Sequence, residues 1–513
     1  MAHAGTVRRP AGAAGDGQAG SAASAWAREG GWLSAWWPLA SLIVLAAVLR
    51  FSTLGLQSLW FDEAFTPVHV FSGSLGSTLS HVARTENTPP LWYVLEWAVI
   101  QVAGNGVIAL RFLSALAGVA MVPVMWAIGK ELAGRRAALL AAALTATSPL
   151  FFWYSQEARA YGLYTFFLAL AMWCFLLAER DPRPRTFAAF AASSAFALLS
   201  HYFAVFLVAP MALWLLRRRD QRRLAIPAVV AIAIVGGALI PLVLTQGGHG
   251  AQWIGHWALA SRLEAIPQYY LTGYTGSALG HSVELVVLLP LLAGVVYGLW
   301  RVLDDAEMRG AAIALALTLC GVGIPLLLVA FGADYLAPRN VIGAMVPLTA
   351  LLAVVIGARR TGWVGLALGA LSALAFLAVC IDIDVRSRLQ RGDWRDVAKA
   401  LRTGTGPRVI TTVHLGTAPL EYYLPAVRGL AEGSYVKVRE IDEVGYAPFS
   451  AQASSPPVAG FALVARDDVK GLVLFRFASA RPRAVPTAAL RGHEITLEQG
   501  PPEVLANFAD AIR

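Results

Sequence analysis

Two adjacent carboxylates, Asp62 and Glu63, lie in the stretch Ser58-Leu59-Trp60-Phe61-Asp62-Glu63-Ala64-Phe65-Thr66, directly after a hydrophobic run. An acidic pair where an apolar span leaves a bilayer is costly unless it serves as a base, a metal ligand or a charge partner. The plain alternative is a pair capping a short interfacial helix, because carboxylates favour helix N-termini. Alone, the pair leaves both readings open. Other reactive types recur between later apolar runs: Glu86 and Asn87, then Glu157 and Arg159 with Tyr161, then His201, His249 and His256, and finally Arg339 and Asn340. Carboxylates at such positions suit general-base work, and arginines suit bidentate binding of phosphate.

The elements that position these groups follow from composition. Of 513 residues, 57% are hydrophobic and only 14% are charged. Soluble domains carry roughly a quarter charged residues, so this is a polytopic membrane protein. The net charge of +9 is not a nucleic-acid signature. Its basic residues fall in short clusters between apolar runs, as the positive-inside rule requires. Cys174, Cys320 and Cys380 all lie within apolar runs, so exported parts depend on packing rather than disulfides. Abundant Ala, Gly and Arg point to a GC-rich bacterial genome.

Residues 1–35 are small and polar, carry Arg8, Arg9 and Arg28, and read as a disordered cytoplasmic tail without a cleavable-signal pattern. Residues 36–381 form a transmembrane domain, and 382–513 a soluble α/β domain. The tail's arginines place the first span's start inside, so Asp62 and Glu63 emerge outside, at the head of an outer loop over 55–105. Phe61, Phe65 and Val68 have the near-helical spacing of an interfacial helix. The apolar run Pro89–Val102 is short for a span and contains Glu96. Read as a juxtamembrane helix, it leaves Lys130, Arg135, Arg136 and every later basic cluster inside. The remaining runs alternate to give about eleven spans, with the C-terminal domain outside. A long outer loop is expected over Thr245–Ser282. The soluble domain has helix patterns at Asp393–Leu401 and Leu420–Leu424, and strand patterns at Val409–Val413 and Gly471–Phe477.

Asp62-Glu63 after the first span resembles the first-loop acidic motif of the GT-C glycosyltransferases, polytopic enzymes that use lipid-phosphate-linked sugars. Thr88-Pro89-Pro90-Leu91-Trp92-Tyr93 resembles the His-Pro-Pro-Leu-Tyr-Tyr element of bacterial members, relatives of protein O-mannosyltransferases and aminoarabinose transferases, with Thr88 in place of the histidine. Ser155-Gln156-Glu157-Ala158-Arg159-Ala160-Tyr161 resembles their second-loop region. Pro338-Arg339-Asn340 resembles a Pro-Arg-Tyr element, with Asn340 in place of the tyrosine. The resemblance covers Leu39–Ile381 and implies a GT-C helix bundle with its active site outside the membrane.

It also implies a reaction: a sugar passes from a polyprenyl-phosphate donor to an envelope glycan, lipid or protein acceptor, with inversion. Asp62 is the expected base, with Glu63 beside it. Arg159, Arg339 and Tyr161 are expected at the donor phosphate. His201, Asn87, Trp92 and Tyr93 are expected to contact substrate. Glu86, Glu157 and His256 are candidates for a divalent metal, Mg, Mn, Ca or Zn. The plain alternatives are a helix-end charge pair for Glu157 and Arg159, snorkelling for Arg339, and packing for His201. The rival functions are a transporter, which needs polar groups within its spans, and a lipid-carrier-binding protein without activity.

Overall fold

The computed structural model describes residues 36–249, 252–274, 281–402, 407–497 and 500–507. The expected tail, 1–35, lies outside the described residues. Five helices are long and apolar enough to cross a membrane: Val107–Ala133, Tyr161–Arg180, Arg222–Gln246, Asp305–Ala330 and Arg359–Val385. A bent pair, Arg135–Thr147 and Pro149–Ser155, makes a sixth if its two halves, inclined at 54°, count as one. Shorter apolar helices occupy Trp36–Ser52, Leu91–Ala103, Tyr202–Arg217, Leu285–Trp300 and Ile342–Ile356.

By length and composition the described helices give at least five candidate spans, where about eleven are expected. Local breaks divide other apolar runs into shorter helices. His201 leaves the helical region between Pro184–Ser200 and Val205–Arg217, and Ser148-Pro149 caps one helix as it starts the next. Close approaches hold the bundle together: a Cβ on Gly118 would collide with the Ser155 hydroxyl. Ser155 Oγ is instead free to accept from Arg50 Nε at 3.2 Å.

The first loop folds as a helical turn Phe61–Phe65, a π turn Thr66–Val70 and a helix Leu75–Thr85. The expected long loop at Thr245–Ser282 contains two helices, Gln252–His256 and Leu259–Thr272. The last apolar helix runs to Val385, a turn past its expected end at Ile381.

Beyond it lies a six-stranded sheet in the order β2-β6-β1-β3-β5-β4. Its strands are β1 Arg408–Thr412, β2 Val427–Gly429, β3 Tyr435–Gly445, β4 Ala462–Val469, β5 Leu472–Pro486 and β6 Glu503–Asn507. β1 and β3 run parallel, with Val409 opposite Ile441, and the other pairings are antiparallel. Successive residues serve opposite faces, as strand geometry requires. Val409 joins one apolar cluster with Phe475 and Phe477, while Ile410 joins another with Leu420 and Leu474.

This domain is pinned to the first loop. Ser58 Oγ donates to the Gly392 carbonyl at 2.8 Å and accepts from the Trp394 N–H at 3.1 Å. The Leu59 N–H donates to Tyr423 Oη at 2.9 Å. His69 Nε2 lies 3.1 Å from Glu421 Oε2. The sheet domain thus sits directly above the segment that carries Asp62.

Candidate active site

The loops that bear the candidate residues converge on one cavity of about 1890 Å³. Asp62, Glu86, Asn87, Arg159, Tyr161, His201, His256 and Arg339 line it. Asp62 is about one-fifth exposed, and its Oδ2 accepts from Arg339 Nη1 at 2.7 Å. The Arg339 guanidinium also lies 4.8 Å from the centre of the Trp253 ring. Arg339 is therefore held by a carboxylate and an aromatic face.

Glu63 does not line the cavity. Its carboxylate is fully buried and takes a two-pronged grip from Arg111, whose Nε and Nη2 donate at 2.7 and 2.6 Å. The Ala158 N–H adds a third bond at 2.9 Å. Burial disfavours its charge, but Arg111, Arg391 and these bonds outweigh it and hold the carboxyl below the usual range. The other Arg111 donors reach the carbonyls of Leu54, Gln57 and Ser58. Glu63 and Arg111 thus fix the turn that presents Asp62, which places Glu63 in support of the site rather than at the reacting atoms.

The Thr88–Tyr93 element behaves similarly. Tyr93 and Trp92 are buried and neither lines the cavity. Tyr93 Oη donates to Glu86 Oε2 at 2.6 Å, and the Thr88 hydroxyl lies 2.8 Å from the same phenol oxygen. The same Glu86 oxygen accepts from Arg159 Nη2 at 2.9 Å. Arg159 Nη1 reaches the Asp62 carbonyl at 3.3 Å and Thr66 Oγ1 at 3.2 Å. Tyr93 therefore supports the wall from behind, through Glu86 and Arg159, and Trp92 packs edge-on against Tyr93.

His201 is buried in an aromatic setting, stacked on Tyr164 with ring centres 4.7 Å apart. Its Nδ1 accepts from the Phe203 N–H at 3.2 Å, so the neutral ring carries its proton on Nε2. Burial, reinforced by the positive charges of Arg339 and Arg159, pushes its pKa down to about 3. It can act as a neutral hydrogen-bond donor and not as a cation.

Glu157 is buried behind the lining and pairs with Arg391 Nη2 at 2.9 Å. Burial pushes its pKa up to about 7, and the neighbouring charges of Glu63 and Asp62 push the same way against Arg391 and Arg339. Glu86, Glu157 and His256 do not assemble as a metal site. Among the described residues, no three His, Cys, Asp or Glu side chains are placed to hold an ion. The physical reason is that Asp62, Glu63, Glu86 and Glu157 each face an arginine already. The residues present do not fit a divalent cation.

Sequence reasoning missed Arg111 and Arg391. Arg111 lies in the first turns of helix Val107–Ala133, where an arginine reads as a span-end residue. Arg391 follows the last apolar helix, and its only local signal is a cation flanked by Gln390, Gly392 and Trp394 at the start of the soluble domain.

Residues 87–245 match the family described as dolichyl-phosphate-mannose-protein mannosyltransferase. No curated protein matches the chain at the sequence level. Among solved structures, ArnT from Cupriavidus metallidurans bound to undecaprenyl phosphate superposes with a TM-score of 0.53 at 13% identity, covering 87% of this chain and 98% of that one. At that identity the match shows a shared fold. The oligosaccharyltransferase of Archaeoglobus fulgidus gives a TM-score of 0.45 at 15% identity, over 77% of this chain and 59% of that one, too low to add to the argument. By its family match over 87–245 and by its fold, the chain resembles the GT-C glycosyltransferases.

Proposed function

We propose that the chain transfers a sugar from a polyprenyl-phosphate donor to an envelope glycan, lipid or protein acceptor on the outer face of the cytoplasmic membrane, with inversion. The observation that carries this reading is the Asp62–Arg339 pair, a carboxylate and a guanidinium 2.7 Å apart on the wall of one large cavity. The carriers named for the similar proteins, undecaprenyl phosphate and dolichyl phosphate mannose, are of the class such a cavity suits.

The chemistry follows from the charges. Donor phosphate competes with Asp62 for Arg339, and Arg159 supplies a second guanidinium. Asp62, released toward the acceptor hydroxyl, takes its proton as the oxygen attacks the anomeric carbon. The bond from that carbon to the phosphate oxygen breaks, and polyprenyl phosphate leaves with one more negative charge than it had in the donor. Donors aimed at that developing charge lower the barrier. Tyr161, Asn87 and His201 line the same cavity and are assigned to the sugar. Membranes with and without the protein, offered a panel of polyprenyl-phospho-sugars, test the reading. Protein-dependent transfer from at least one donor is expected, and none from any donor contradicts it.

Arg339→Ala should weaken donor binding roughly ten- to a hundredfold, the worth of a charged hydrogen bond. Folding should change little, because Asp62 is partly hydrated already. Donor titration beside a thermal melt checks this, and unchanged donor affinity would favour simple snorkelling.

Topology supports the same reading. Arg159 bonds to the Asp62 carbonyl, so both lie at one end of the bundle. Between them run helix Leu91–Ala103, helix Val107–Ala133 and the bent pair, and only an even number can cross. The 13-residue helix Leu91–Ala103 is the one that stays on the surface. At 1.5 Å per residue it spans about 20 Å, short of the ~30 Å hydrocarbon core. Glu96 argues neither way, since it is buried against protein and burial pushes its pKa up to about 9. In a background lacking the native cysteines, Asn87→Cys and Asn105→Cys should both react with an impermeant thiol reagent from outside. Arg185→Cys should not. Labelling of only one of the first two would mean that the helix crosses.

A further inference from the structure

Arg391 belongs to the C-terminal domain, yet it lines the same cavity as Asp62 and Arg339. Three contacts fix its guanidinium. One face lies 4.2 Å from the centre of the Trp153 ring, Nη2 donates to Glu157 at 2.9 Å, and Nε stands 3.8 Å from Glu63 Oε2. The backbone is fixed as well: the Arg391 N–H donates to Gln57 Oε1 at 3.0 Å, and the neighbouring Gly392 carbonyl accepts from Ser58. The arginine is therefore stapled to the turn that presents Asp62.

Its hydrogen bonding is incomplete. Arg391 Nε is buried without a hydrogen-bond partner. A buried guanidinium short of acceptors is costly, and its cost falls when an anion arrives. Stacking on Trp153 covers its face, so an incoming phosphate meets the guanidinium edge, where it competes with Glu157 for Nη2. The other strongly placed cation, Arg111, has every donor used on Glu63 and three carbonyls. Arg391 does not.

We infer that Arg391 is a third guanidinium of the donor-phosphate site, contributed by the C-terminal domain and held on Glu157 until the phosphate binds. This rests on the glycosyltransferase reading of the cavity. Its consequence is that the soluble domain takes part in donor binding: with the segment Arg391–Trp394 undocked from Ser58, the phosphate site loses one of three positive groups.

The test is binding of polyprenyl phosphate to the full-length protein in detergent, with polyprenol as the neutral control, for the wild type, Arg391→Met and Arg391→Lys. Methionine keeps packing on Trp153 and removes the charge; lysine keeps the charge and removes the planar fork. Arg391→Met should lose at least tenfold in affinity for polyprenyl phosphate and nothing for polyprenol, with Arg391→Lys between. In turnover the donor KM should rise more than kcat falls. A lowered melting temperature with unchanged phosphate affinity in the folded fraction would make Arg391 a structural pin and overturn the inference. Should Arg391→Met not fold, Glu157→Gln serves instead: it frees Arg391, so phosphate affinity should hold or rise, and a tenfold loss would overturn the inference. Wild-type protein that binds the phosphate no better than polyprenol would contradict the transferase reading itself.

Discussion

Asp62→Asn is expected to lower transfer by about two to four orders of magnitude, the usual cost of losing a general base. Asparagine matches the carboxylate in shape and still offers Arg339 an oxygen, so the wall of the cavity should stay in place. It cannot take the acceptor proton. Donor binding should survive, because the substitution removes the carboxylate that competes with phosphate for Arg339 at 2.7 Å. Single-turnover transfer and donor titration on the same preparation separate the two effects. Turnover near that of the wild type would remove Asp62 from the chemistry.

Arg111→Ala should be the most damaging substitution for the fold. All five of its N–H groups are used, on both Glu63 oxygens and on the carbonyls of Leu54, Gln57 and Ser58, with the whole side chain buried. Alanine leaves the Glu63 carboxylate in a buried position without its main counter-charge. Breaking such a pair costs about 3–5 kcal/mol. Much of the loss falls on the turn that carries Asp62, so activity and stability should drop together. The double change Glu63→Gln with Arg111→Met should recover part of the melting temperature, because it leaves no unpaired charge. A melt of Arg111→Ala at the wild-type temperature would show that the pair does not hold the loop.

The acidic pair at the end of the first span was legible in the sequence because charge is rare beside apolar runs. Which acid does the chemistry was not. Asp62 and Glu63 are neighbours, and only the burial of one against Arg111, 48 positions away, separates their roles. The grouping of Arg159, Arg339 and His201 followed from reading their loops onto one side of the membrane, and all three line the cavity. Trp92 and Tyr93 were expected at substrate because their motif is, yet both are buried off the cavity lining, with Tyr93 bonded to Glu86. The metal candidates do not come together among the described residues, for a reason no spacing reveals: Glu86 and Glu157 each pair with an arginine from another element. Of the expected spans, five are single long helices, while other apolar runs are short or broken, as at Ser148-Pro149 and His201. Arg391 was hidden by the domain boundary, since the sequence divides the chain where the structure joins it.

The most direct test of the account is release of polyprenyl phosphate from a polyprenyl-phospho-sugar by purified protein in proteoliposomes with the acceptor present. The account predicts release matched one for one by sugar on the acceptor, abolished in Asp62→Asn and weakened at low donor concentration in Arg339→Ala. Release from no donor in the panel, or equal release by the wild type and Asp62→Asn, would contradict it.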